Sequence, residues 1–166
     1  MFSERLSFGG VALHLYGETP WQLSPACAPF RTEAAPAAHE IHLRLSDTMP
    51  PPPDGTPCSL RTYRWRTGAQ RHTLHDHVSD FTYAVTDGNS TELTVSTGYA
   101  GNLRTQLLLE AVDLFDILAE RGMLVLHSSY VLRKEGDAIL FSGASGIGKS
   151  TQAELWREFA SARVIN

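Results

Sequence analysis

The sequence predicts an α+β protein: a β-rich antiparallel N-terminal domain, then the first part of an α/β domain built around a glycine loop. Three observations carry this. Residues 1–100 alternate apolar and polar positions at period two, between proline-rich loops. From about residue 101 the apolar spacing changes to three and four. Past Gly122, short apolar runs alternate with a glycine-rich loop and a helix-like run. The division is a β-rich N-terminal domain at 1–100, a linking helix at 101–122, and a partial nucleotide-binding phosphate-loop domain at 123–166.

The elements follow in order. "RLSFGGVALHLYG" reads as two strands around Gly9-Gly10, a hairpin signal. In "EIHLRL", Ile41, Leu43 and Leu45 alternate with His42 and Arg44, as in a half-buried strand. "SLRTYRWRTG" places Arg61, Tyr63 and Trp65 on one face, which is therefore aromatic, and Leu60, Thr62 and Arg64 on the other. "DFTYAVTDGNSTELTVST" is a hairpin turning at Asp87-Gly88-Asn89. The stretches "ETPWQLSPACAPFRTEAAPAA" and "DTMPPPPDGTP" are read as loops, because proline lacks the N–H a central strand needs.

The linking helix carries Leu103, Leu107, Ala111, Leu114 and Leu118 in one row. Leu108, Val112 and Phe115 widen that row into a stripe. Asn102 suits the N-cap and Gly122 the position after the C-terminus. "MLVLHSSYVL" and "AILF" then read as strands joined by the turn "RKEGD". "KSTQAELWREFA" is the next helix, and "ARVIN" begins a further strand. That strand, Arg163 to Ile165, is expected to run parallel to Ala138–Phe141.

Composition excludes several functions. The chain has 166 residues, 42% of them hydrophobic and 19% charged, with a net charge of -4 and a pI near 5.9. This is the balance of a folded protein. A mildly acidic chain with no basic block is poorly suited to nucleic acid or anionic membrane. No apolar run approaches the roughly 18 residues of a membrane-spanning helix. The N-terminus lacks the pattern of a secretory signal, so cytoplasm is the expected compartment. Cys27 and Cys58 form no C-x-x-C pair and are expected to be inert thiols.

Gly143-Ala144-Ser145-Gly146-Ile147-Gly148-Lys149-Ser150 fits G-x-x-x-x-G-K-[ST] at every fixed position. Cradling phosphate needs backbone N–H groups turned inward, and glycine permits both the dihedrals and the close approach. Lys149 can reach β- and γ-phosphates. The Ser150 hydroxyl can ligate Mg²⁺, with Thr151 as an auxiliary donor. The helix opening at Lys149 points its positive end at the anion. The loop therefore implies a nucleoside triphosphate with Mg²⁺; ATP is the expected cofactor, with the choice of ATP over GTP left open by the sequence, and Gly143, Ser145, Gly146, Ile147, Gly148, Lys149, Ser150 and Thr151 are the binding residues.

His127 lies one hairpin upstream. If Val125–Leu132 and Ala138–Ser142 pair across "RKEGD", His127 stands at the ladder end where the loop departs. A neutral imidazole there can ligate a divalent metal or take a proton from a hydroxyl.

"LHSSYV…GDAILFSGASGIGKSTQAEL…ARVIN" resembles the nucleotide-binding core of the HPr kinase/phosphorylase family. It is also similar to the ATP-dependent phosphoenolpyruvate carboxykinases, which share that core. The resemblance covers residues 123 to 166 and rests on His127, the loop Gly143–Ser150 and the closing strand. It implies phosphoryl transfer to a hydroxyl of a protein or peptide. His127 and Lys149 would be catalytic, with Ser150 and His127 at the metal. In that family paired aspartates follow the closing strand, so the chain reads as the N-terminal part of a longer protein. Ala144 stands where the kinase branch often has an acidic residue. Two rival readings are a nucleotide-sensing module whose β-domain docks a partner, and a carboxykinase-like lyase. The open strand edge left at the closing strand gives a reason to expect a homo-oligomer.

"HTLHDH" gathers His72, His75 and His77 around Asp76 and reads as a solvent-facing strand rather than a metal site. His39 and His42, three apart on a strand, face opposite ways and share no ligand role.

Overall fold

The computed structural model of the protein describes residues 2–18, 23–33, 36–51, 61–77, 79–100 and 105–165. The chain divides into two compact units, Met1–Met123 and Leu124–Asn166.

The first unit holds a seven-stranded sheet. Its strands are β1 (Phe2–Phe8), β2 (Val11–Gly17), β3 (His39–Leu45), β4 (Thr62–Thr67), β5 (Gln70–Asp76), β6 (Phe81–Asp87) and β7 (Ser90–Val95). The spatial order is β1-β2-β3-β7-β6-β5-β4. Both expected hairpins form, with Phe8 opposite Val11 and Asp87 opposite Ser90. The sheet is mixed rather than antiparallel, because β3 runs parallel to both β2 and β7. Long connections on either side of β3 free it from hairpin geometry, as parallel neighbours require. One of them is not wholly loop: Pro25–Phe30 forms a 3₁₀ helix. Leu60, Cys58 and most of the second proline-rich stretch lie outside the described residues.

Three helices follow: α1 (Thr97–Ala100), α2 (Thr105–Ala111) and α3 (Leu114–Ala119). Asn102 and Leu103 fall outside the described residues. The expected single helix breaks at Asp113, which adopts the left-handed conformation with φ 52°. Aspartate tolerates that region better than most residues. Its carboxylate accepts hydrogen bonds from the Thr73 hydroxyl and, at 3.0 Å, from Arg64 Nη2. The break resets the helical phase. Ile117 becomes fully buried, whereas Phe115, placed by periodicity on the apolar stripe, is 64% exposed. At the C-terminal end, Gly122 N–H donates to Ala119 O and Met123 N–H to Leu118 O. This pair of bonds makes Gly122 the terminating residue that the sequence indicated.

These helices form part of the core rather than a link. Leu108, Ala111, Val112, Leu114, Ile117 and Leu118 pack with Leu15, Ile41, Leu43, Ala84 and Leu93 in one cluster. The apolar strand positions are one face of the sheet, and covering that face is what removes them from water.

The first unit also buries polar groups. His39 is fully buried. Arg121 Nη2 lies 3.1 Å from His39 Nδ1, and a guanidinium can only donate. The imidazole proton therefore sits on Nε2 and is given to Thr91 Oγ1 at 2.8 Å. Burial, reinforced by Arg121 and Arg71, lowers the His39 pKa to about 4. His42 lies on the opposite face, stacked on Tyr16.

The "HTLHDH" strand is not solvent-facing. Its strand, β5, runs between β4 and β6. His72 is buried, stacked on Trp65 and bonded to the Tyr83 hydroxyl at 2.8 Å. His75 bonds Thr62 Oγ1 at 3.0 Å, and His77 stacks on Tyr99. Cys27 is buried, and burial pushes its thiol pKa up.

The second unit is a three-stranded antiparallel sheet with one helix. It comprises β8 (Ser128–Leu132), β9 (Ala138–Ser142), α4 (Lys149–Ala160) and β10 (Arg163–Ile165). The order is β10-β8-β9. β8 is shorter than expected, so residues 125–127 precede the ladder rather than joining it. β10 runs in the same direction as β9 but pairs with β8, which lies between them. Val131, Ala153 and Ala162 form the small core, with Ile139, Phe141, Trp156 and Val164 against it.

Candidate functional site

The register of β8 on β9 sets the site. Ser128 lies opposite Ser142, so the residue before Ser128 and the residue after Ser142 leave the sheet at the same end. Those residues are His127 and Gly143. The loop 143–148 then turns directly into α4.

A cleft with a volume of about 540 Å³ opens there. It is lined by His127, Ser128 and Ser129 on one side and by Ser145, Gly146, Gly148, Lys149, Ser150 and Thr151 on the other. Gly146 and Gly148 have φ of 81° and 93°, values that a side chain makes costly. Gly148 is the N-cap of α4 and offers no side-chain cap. The first amides of α4 therefore lack a capping oxygen, which an anion can replace.

Lys149 Nζ folds back over the loop and donates to Gly143 O and Ala144 O, both at 3.0 Å. It is the only Lys, Arg, Asp or Glu in the cleft lining among the described residues. An approaching anion thus meets one cation and a helix start. Opposite Lys149, Ser129 Oγ lies 3.4 Å from Ser150 Oγ.

Of the residues singled out in the sequence, His127, Ser145, Gly146, Gly148, Lys149, Ser150 and Thr151 meet in this cleft. Gly143 and Ile147 do not line it. Gly143 supplies a carbonyl to Lys149, and Ile147 is 68% exposed. Ser128 and Ser129 line the cleft without having been anticipated. For Ser129 the signal was a serine on the helix-facing side of β8, where alternation with Val131 calls for an apolar residue.

Donor chemistry decides what cation fits. Among the described residues no group of three or more His, Cys, Asp or Glu could hold a metal. The cleft offers hydroxyls and one imidazole. Mg²⁺ prefers oxygen ligands and keeps several waters, commonly sharing its shell with phosphate oxygens. The residues present therefore suit Mg²⁺ carried on a nucleotide, held through Ser150, rather than a free-standing ion.

Comparison with protein-family models, curated proteins and solved structures found no match for this chain. Among the described residues no helix is long and apolar enough to cross a membrane.

Proposed function

We propose that the cleft binds the phosphates of ATP and that the protein transfers a phosphoryl group to a hydroxyl of a protein or peptide. The observation that carries this reading is the meeting of His127 with the glycine loop and the uncapped start of α4 in one cleft. The sequence resemblance of residues 123 to 166 to the HPr kinase/phosphorylase core points the same way.

The residues divide the work. Amides from Gly146 to Ser150 hold phosphate oxygens. Lys149 exchanges its two carbonyl partners for the β- and γ-phosphates, where its charge opposes the charge that develops during transfer. Ser150 directs a hydroxyl to the cation, which neutralises phosphate charge when bound. His127 would take the acceptor's proton, a task an imidazole performs better than ligating so hard an ion as Mg²⁺.

A second reading is a nucleotide-sensing module. It needs only the glycine loop, Lys149 and the start of α4, which line the cleft whether or not a transfer step follows. The carboxykinase-like lyase has less support: among the described residues no arginine lines the cleft to hold a small acid. Titration calorimetry of Mg-ATP against wild type and Lys149→Ala tests the binding. Charge-assisted hydrogen bonds contribute about 1.5–3 kcal/mol, so affinity should fall about 10- to 150-fold. Equal affinities would remove both readings. Transfer of labelled phosphate to a hydroxyl-bearing protein separates enzyme from sensor.

A further inference from the structure

We infer that Ser129 is the positioning residue of the cation site, acting by accepting the hydrogen bond of the Ser150 hydroxyl. This inference rests on the nucleotide reading proposed above.

Ser129 is out of place on packing grounds. It sits on the same face of β8 as Val131, which is fully buried against Ala153 and Ala162. Ser129 is itself only 5% exposed. A buried hydroxyl without a partner costs free energy, and an apolar residue would fit this row better. The partner recorded for it among the described residues is Ser150 Oγ at 3.4 Å, across the cleft. At 3.4 Å the contact is longer than an ordinary O–H···O bond of about 2.7–2.8 Å, so it marks which group faces the Ser129 hydroxyl.

The hydroxyl chemistry gives this contact a direction. A serine hydroxyl has one proton and two lone pairs. To ligate a cation, Ser150 must turn a lone pair toward the ion and its proton elsewhere. The Ser129 oxygen, on a strand rather than in the loop, is a fixed acceptor for that proton. Ser129 touches neither phosphate nor cation in this arrangement. It sets the rotamer and proton direction of the residue that does.

The test separates cation-dependent from cation-independent binding. ADP affinity is measured by titration calorimetry with Mg²⁺ and again with EDTA, and the ratio of the two is the readout. Ser129→Ala should lower Mg-ADP affinity about three- to tenfold, the range of one ordinary hydrogen bond. Affinity in EDTA should stay unchanged. Ser129→Thr, which keeps the hydroxyl, should restore the ratio. In a Ser150→Ala background, Ser129→Ala should have no further effect on it. Should Ser129→Ala fail to fold, Ser129→Cys retains the volume with a weaker acceptor and should reduce the ratio in the same direction. An unchanged ratio, or equal losses with Mg²⁺ and EDTA, would overturn the inference while leaving the nucleotide reading intact. Wild-type protein that binds ADP under neither condition would overturn both, and that result is visible before any variant is made.

Discussion

Acidification should destabilise the first unit through His39. The ring is fully buried, gives its Nε2 proton to Thr91 Oγ1 at 2.8 Å, and accepts from Arg121 at Nδ1. Adding a proton to Nδ1 destroys the Arg121 bond and sets two cations side by side. Burial is the larger cause of the lowered pKa, and Arg121 and Arg71 add to it. The folded value is about 4 against 6.5 for the ordinary imidazole. Between those values the unfolded chain binds a proton that the folded chain does not, so stability falls as pH falls. The contribution is fully present above 6.5 and gone below 4, and the gap corresponds to about 3 kcal/mol. Urea denaturation followed by circular dichroism across this window measures it. Carboxylates titrate near the lower limit, so the comparison is with His39→Gln, which keeps a donor and an acceptor but does not titrate. The variant should lose less stability across the window than wild type by about that amount. Parallel pH profiles for the two proteins would refute the linkage argument.

Two more outcomes follow from the cleft and the core. His127→Asn should slow phosphoryl transfer by about 100-fold or more, while changing ATP affinity less than about threefold, if the imidazole acts on the acceptor's proton. A paired transfer assay and calorimetric titration check this, and a loss confined to affinity would contradict it. Ile117→Ala should lower the unfolding free energy by about 2–5 kcal/mol, as for a fully buried aliphatic side chain. Thermal denaturation measures that change, and a shift near zero would return α2 and α3 to the role of a mere link.

Much of the local structure was legible because it depends on residues close together in sequence. The Gly9-Gly10 and Gly88-Asn89 turns, the alternation in β3 and the start of α4 at Lys149 are all set by neighbours within a few positions. The same holds for the cleft. A hairpin of known length brings His127 to the end of β9 from which the loop departs, so pairing alone places it. The break at Asp113 was not legible, because its cause is Thr73 and Arg64, some forty to fifty residues away. Once the phase changed there, periodicity assigned Phe115 to the core and overlooked Ile117.

By itself the sequence determined the strands of the two hairpins, the helix after the loop, the glycine pattern of the loop and the proximity of His127 to it. These are short-range matters of dihedral preference, spacing and turn length. Tertiary structure alone decided that β3 lies parallel to β2 and β7, and that α2 and α3 complete the first core. It also decided that β10 pairs with β8 instead of β9, and that Ser129 faces Ser150 across the cleft. Each of these joins residues far apart in the chain. Which distant partner is chosen depends on which apolar faces must be covered and which buried polar groups must be bonded, and no local pattern records that choice.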